Sequence, residues 1–107
     1  MKGSGKTVVG ATGTLNITAM GASGGNLIQR TLENNGILNL QPRSGVNPDV
    51  LDTGDAAVIH NPSTGTFNFV GNVGLRYYAG GPLTVNNEGT TIRTGDGDAP
   101  INSGVVF

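Results

Sequence analysis

The residues whose chemistry is easiest to interpret are three aspartates in one short stretch. Asp49, Asp52 and Asp55 fall within a proline-containing segment, residues 41–55. Carboxylate oxygens are the ligands that Ca²⁺ prefers, so calcium binding by these side chains is a weak possibility. A solvated, charged loop is the simpler interpretation, because proline cannot donate hydrogen bonds to a β-sheet. We therefore predict that residues 41–55 form a loop that protrudes from the body of the protein.

The other residues with reactive or stacking side chains do not form a recognisable catalytic set. His60 is the single histidine, and no acidic residue lies near it in sequence, which disfavours metal binding and acid–base catalysis. Arg76, Tyr77 and Tyr78 could form a carbohydrate-stacking patch, although adjacent strand residues face opposite ways. The chain contains no cysteine, which excludes disulfides and thiol nucleophiles. The sequence thus predicts no enzyme activity, no catalytic residue and no cofactor.

Composition limits the class of protein further. The 107 residues have a net charge of −1 and six scattered basic residues, so there is no basic stripe for nucleic acid. No apolar run is long enough for a transmembrane helix, and no membrane insertion is expected. Glycine is abundant, at 19 residues, without the period of collagen. We predict a flexible lead over residues 1–7, rich in Gly, Ser and Lys, and a single domain over residues 8–107.

One short pattern recurs along this domain. Each copy has an apolar residue (the anchor), a polar turn with glycine, and a strand in which apolar and polar residues alternate. The clearest copy runs from Leu32 through Asn-Asn-Gly to Leu40. Asparagine and glycine tolerate positive φ, and alternation is typical of a strand with one buried face. The five anchors are Val9, Leu32, Ile59, Val85 and Phe107.

Repetition every 20 to 30 residues is typical of a solenoid, and strand character makes this one all-β. We predict a parallel β-helix (β-solenoid) of about four coils, with about 22–27 residues per coil. Asn34, Asn61 and Asn87 each follow an anchor by two positions, so we predict that their side chains form an internal asparagine ladder. The fourth repeat places Ile92 out of phase, which indicates a one-residue bulge or a different alignment.

Polar residues also recur on the outward side of the predicted strands. Asn16, Asn39 and Asn68 occupy equivalent outward positions. Flat rows of Thr-x-Thr on some solenoids bind ice, and Thr12/Thr14 and Thr64/Thr66 have this spacing. Each pair straddles a glycine turn, however, so the sequence does not predict a continuous threonine row.

Several segments resemble the tandem repeats of large secreted bacterial proteins, namely filamentous-haemagglutinin-like and other adhesin β-solenoids. The resemblance covers about residues 6–107. It implies a right-handed parallel β-helix within a long extracellular stalk or adhesin. The chain departs from that pattern at residues 41–55 and in its dense glycine after Ala19. The segments that carry the resemblance are RTLENNGILNLQ, AAVIHNPSTGTFNF, LTVNNEGTTIRT and INSGVVF.

These observations lead to one expected function and one alternative. We expect a non-enzymatic structural or adhesive module of a bacterial extracellular or cell-surface fibre protein, with coils that stack end to end into a rigid rod or filament. Its partners would be copies of itself or neighbouring repeats, together with surface carbohydrate. The alternative is a carbohydrate-binding or polysaccharide-cleaving β-helix, similar to a phage tailspike, which would need acids and tyrosines to converge on one lateral groove. A self-assembling filament subunit or an engineered solenoid would have the same fold.

Overall fold

Short parallel strands build the whole described chain. The computed structural model describes residues 3–19, 27–43, 49–95 and 105–106, and within these ranges it contains strands and turns but no helix. No described segment is therefore a helix long and apolar enough to cross a membrane. The strands are β1 (Lys6–Val9), β2 (Thr14–Thr18), β3 (Leu27–Ile28), β4 (Thr31–Asn34), β5 (Ile37–Gln41), β6 (Asp49–Gly54), β7 (Val58–Asn61), β8 (Thr66–Val70), β9 (Val73–Ala79), β10 (Leu83–Asn87), β11 (Thr90–Thr94) and β12 (Val105–Val106).

The strands form three parallel sheets that run along the solenoid axis. Sheet A has the order β1-β4-β7-β10-β12, sheet B the order β2-β5-β8-β11, and sheet C the order β3-β6-β9. One strand from each sheet makes one coil, so the described chain completes about three turns, and β10 and β11 begin a fourth. The predicted all-β, parallel β-solenoid is confirmed. Its right-handedness stays a prediction.

The core lies inside the three sheets because alternate strand residues point inward. In β8, for example, Phe67 and Phe69 are buried while their neighbours are only half-buried, and the two rings stack with centroids 4.5 Å apart. The buried apolar residues are Val9, Ala19, Leu27, Leu32, Leu38, Leu40, Leu51, Ala57, Ile59, Phe67, Phe69, Val73, Leu75, Leu83 and Val85.

Glycine allows the coils to stack closely at the corner between sheets A and B. The residue that precedes each sheet B strand is glycine, and the next residue donates its N–H to the preceding coil's glycine. Ile37 donates to Gly13 at 3.0 Å, and Thr66 donates to Gly36 at 2.8 Å. A Cβ on Gly65 would lie 2.1 Å from the Asn34 carbonyl oxygen, so no side chain fits there.

The structure differs from three local expectations. The predicted loop over residues 41–55 contains β6, because arginines neutralise Asp49 and Asp52 and Leu51 packs into the core. The predicted flexible lead contains the start of β1 at Lys6, which pairs with Thr31. For Ile92 the sequence left a bulge or a different alignment open, and the structure shows neither: Ile92 pairs with Asn68 in an unbroken ladder and remains 41% exposed.

Candidate functional site

The inner asparagines stand in one column and link consecutive coils. The Asn34 side-chain amide donates to the Asn61 side-chain oxygen at 2.8 Å, and Asn61 donates to Asn87 at 2.8 Å. The same amides also donate to the backbone oxygens of Thr66 and Thr90, at 2.8 and 3.1 Å. Asn34 and Asn61 are fully buried, so these bonds satisfy groups that water cannot reach. The column therefore joins sheet A of each coil to sheet B of the next.

Three of the predicted anchors also occupy one column. Leu32 pairs with Ile59 and Ile59 with Val85, and all three side chains are buried. The first anchor is misassigned: Thr7 pairs with Leu32, whereas Val9 pairs with Asn34. The error has a physical cause, because the corner after β1 is longer than the corner after β4. The fifth anchor, Phe107, lies outside the described residues.

Val9 therefore terminates the inner asparagine column. It occupies the position in the first coil that asparagine occupies in the next three coils. A valine cannot donate a hydrogen bond, and the Asn34 side-chain oxygen is buried without a hydrogen-bond partner. An unsatisfied buried acceptor costs about 1–3 kcal/mol. The asparagines of the inner column are thus hydrogen-bonded to each other in the middle of the solenoid, whereas at its N-terminal end the Asn34 oxygen has no donor.

The three aspartates of the calcium hypothesis do not converge on one site. Asp49 accepts from both the backbone and the guanidinium of Arg43, at 2.9–3.0 Å. Asp52 is fully buried and accepts from Arg76 at 2.6 and 2.7 Å. Asp55 lies in an exposed turn with a positive φ of 51°. No group of three metal-ligating side chains is placed to hold a cation within the described residues.

These two ion pairs stabilise sheet C. Arg43 and Asp49 close the segment that joins β5 to β6, and the hydrogen bond to Asp49 raises the pKa of Arg43. Asp52 and Arg76 face each other in neighbouring strands of the parallel ladder. The Thr53 hydroxyl also donates to the Arg76 carbonyl at 3.0 Å. The bidentate Asp52–Arg76 pair joins two strands in register, because loss of the arginine would leave the buried Asp52 carboxylate poorly solvated.

The geometry of sheet C weakens the polysaccharide-cleaving alternative. Asp49, Asp52 and Tyr77 do belong to one sheet, as that alternative requires. The side chains of Asp49 and Asp52 are only 2% and 0% exposed, however, and arginines cover them. The Tyr77 hydroxyl donates to the Gly80 carbonyl. A sugar would find neither carboxylate accessible here.

His60 has acidic neighbours that the sequence did not reveal. Its Nε2 lies 3.0 Å from Glu88, and its Nδ1 lies 3.8 Å from Glu33. Glu33 also accepts from Lys6 at 2.8 Å, so a row of polar contacts from Lys6 to Glu88 crosses four coils on the outer side of sheet A. The register pairs Glu33 with His60, and each residue directly follows one of the paired anchors Leu32 and Ile59. These contacts connect successive coils on an open surface.

The hydrogen bonds of Glu33 alter its titration. Bonds from Lys6 and then from Asn35 stabilise the carboxylate and lower the pKa of Glu33. Partial burial acts in the opposite direction and is weaker. The folded state therefore gains stability from this carboxylate when it is ionised, and loses that contribution as the pH falls.

A second asparagine ladder lies on the outside of sheet B. Asn39 donates to Asn16 at 2.9 Å, and Asn68 donates to Asn39 at 3.0 Å. Thr94 then donates its hydroxyl to Asn68 at 3.1 Å. The sequence predicts the outward position of these asparagines, but only the register brings their amides within hydrogen-bond distance. The result is a row of side chains held in fixed orientations on a surface that faces solvent.

Comparison with known proteins gives no family assignment. No protein-family model, no curated protein and no solved structure matches this chain.

Proposed function

We propose that this protein is a non-enzymatic structural module of a bacterial extracellular or cell-surface fibre, similar to adhesin β-solenoids. Its coils stack end to end with those of neighbouring repeats, and the hydrogen bonds between coils make a rigid rod. The observation that carries the proposal is the N-terminal end of the solenoid. There, within the described residues, β1, β2 and β3 each have a strand partner on one side only.

This end has the properties of an interface between coils. Leu15 and Ile17 point toward the core but are only partly buried, since no coil described here covers them on that side. The backbone also offers donors. Ile37, Thr66 and Thr90 all donate their N–H groups to the preceding coil, and Thr14 occupies the same register position in the first coil. Unpaired edges of this kind are templates for a further strand.

At the C-terminal end, sheet A is extended by β12, whereas β11 and β9 are the edge strands of sheets B and C among the described residues. On sheet A, β12 pairs with β10 and so occupies the edge to which a further strand would otherwise be added. A stacking copy would have to displace β12 with its own β1, whereas a repeat that adds strands to sheets B and C would not. Thr91 and Arg93 are exposed at inward positions of β11, so the added strand must accept polar side chains there.

A tandem fusion tests whether coils of this type stabilise each other. In solenoids, each interface between repeats adds to the stability of the array. Two copies of the full chain joined in series should therefore unfold at a higher urea midpoint than one copy. Equal midpoints for the single and double chains would contradict the proposal, because they would mean that the ends form no interface.

Association of the single chain gives a second test, by light scattering over a wide range of protein concentration. The mean mass of the wild type should rise with concentration. Thr14→Pro removes an N–H that no described strand uses, so it should block association while the chain stays folded. Thr90→Pro is the matched control: it removes a donor to Gly65 that the fold uses at 3.0 Å, and it should lower the melting temperature. A wild type that remains monomeric throughout would refute stacking between copies.

A further inference from the structure

Among the described residues, no charged residue occupies an outward position of sheet B, and we call this outward side the B face. Twelve outward residues from four strands form it, although the chain as a whole has 13 charged residues, Lys and Arg six and Asp and Glu seven. Of the three large apolar side chains that are strongly exposed among the described residues, two lie on this face: Ile37 at 44% and Ile92 at 41%. The residues are Thr14, Asn16, Thr18, Ile37, Asn39, Gln41, Thr66, Asn68, Val70, Thr90, Ile92 and Thr94.

The side chains of the B face form a regular grid. The strand order places them in three columns of four, and in the first two columns every neighbouring pair from β2 to β11 is in register. Neighbouring strands in a sheet lie about 4.8 Å apart, and residues on one face of a strand lie about 6.6 Å apart. The B face therefore presents its side chains at regular intervals in two directions.

The grid is also held in place before anything binds. The central column contains the outer asparagine ladder, whose amides hold each other at 2.9–3.0 Å. The first column, Thr14, Ile37, Thr66 and Thr90, consists of β-branched residues, which have few χ1 rotamers. In the third column, Gln41 donates to the Thr18 hydroxyl at 3.3 Å. Binding would therefore order few additional side chains, which reduces its entropic cost.

We propose that the B face binds the surface of ice. An uncharged face suits an uncharged lattice, because a charged side chain would have to lose strongly held water on contact. Threonine hydroxyls and asparagine amides can hydrogen-bond to lattice water, while the methyl groups of Ile37, Val70 and Ile92 sit against it. The B face contains no aromatic residue on which a sugar ring could stack, and this favours ice over a neutral polysaccharide. The inference is independent of end-to-end stacking.

Partition of the full-length protein into slowly growing ice tests the proposal. The wild type should be enriched in the ice fraction relative to Thr66→Lys, which places an ammonium group near the middle of the B face. We expect a loss of about tenfold in enrichment, equivalent to about 1.4 kcal/mol. Asn86→Lys is the matched control, because Asn86 is exposed on sheet A, and this variant should behave like the wild type. Circular dichroism establishes that both variants are folded.

Three outcomes would overturn the inference. The first is a wild type that partitions into ice no better than Thr66→Lys. The second is an equal loss in Thr66→Lys and Asn86→Lys, which would indicate a general effect of charge. The third is wild-type protein that ignores ice but binds cellulose, or forms dimers that Thr66→Lys disrupts, since the B face would then serve a polysaccharide or a second copy. Failure of any of these tests leaves the tandem-fusion experiment unaffected.

Discussion

Replacement of Gly65 by alanine is the most direct test of close stacking between coils. A Cβ at this position would lie 2.1 Å from the Asn34 carbonyl oxygen and 2.3 Å from the Asn61 side-chain oxygen. Neither atom can withdraw easily, because the first belongs to the backbone and the second belongs to Asn61, whose side chain is fully buried. Both would have to move by about 1 Å to reach a normal contact distance, which strains the core and weakens the ladder.

The expected cost follows from these two effects. Overpacking of a buried site costs about 1–3 kcal/mol, and a weakened buried hydrogen bond adds about 1 kcal/mol. We therefore expect Gly65→Ala to lower the free energy of unfolding by about 3 kcal/mol. In a domain of this size, that loss corresponds to a fall in melting temperature of about 12–24 °C.

Thermal and urea unfolding, followed by far-ultraviolet circular dichroism, would measure this effect. Gly10→Ala is the matched control, since a Cβ on Gly10 would have no atom within 4 Å and neither glycine has a positive φ. We expect the control to change stability by less than about 0.5 kcal/mol. If both variants unfold at the same midpoint, the coils are not packed as closely at Gly65 as the 2.1 Å and 2.3 Å distances require.

Four further predictions concern the polar contacts between coils. Asn34→Leu should cost about 2 kcal/mol in urea unfolding, because Asn61 and Thr66 lose a buried donor; a neutral result would mean that the inner ladder does not stabilise the fold. Val9→Asn would extend that ladder. In the wild type it should lower the free energy of unfolding by less than about 1 kcal/mol, and in the Asn34→Leu background it should lower it by about 2 kcal/mol more than in the wild type. Arg76→Gln should cost about 3 kcal/mol and Asp52→Asn only about 1 kcal/mol, because Asp52 is buried whereas Arg76 is 34% exposed and can reach water; equal losses would contradict this. The pKa of Glu33 is lowered in the folded state, so the stability that its carboxylate contributes is lost as the pH falls below the ordinary glutamate pKa of about 4.3. The melting temperature of the wild type should therefore decrease in this acidic range, and the decrease should be smaller for Glu33→Gln.

The position of Val9 shows that the sequence can reveal a repeat and still misalign one of its copies. The sequence aligns Val9 with Leu32, because a glycine follows each of them at the same spacing. In the structure the corner after β1 spans residues 10–13 and contains a tight turn, in which Gly13 donates to Gly10 at 2.9 Å. The corner after β4 spans only residues 35–36. A difference of two residues preserves the inward and outward pattern, so hydrophobicity alone cannot detect it.

Residues 41–55 show a second reason why the sequence alone can mispredict local structure. Aspartates are rare in strands, so local preference predicts a loop there. The structure forms β6 because Arg43 and Arg76 neutralise two of these side chains, and Arg76 comes from the next coil. A partner supplied by a different coil cannot be inferred from local composition. The same reason explains why the acidic neighbours of His60 were not expected.

The sequence by itself determined that the protein is all-β, that its coils repeat, and which asparagines share an inner column. Those properties follow from alternation and spacing, which local sequence records. Only the tertiary structure decided the register between coils, the pairing of the buried charges, and the grid of the B face. Each depends on corner lengths and on contacts between residues more than 20 positions apart, such as Asn16 and Asn39. The side chains that now suggest a binding surface are therefore ordinary in the sequence, and become a regular array only when the coils are stacked.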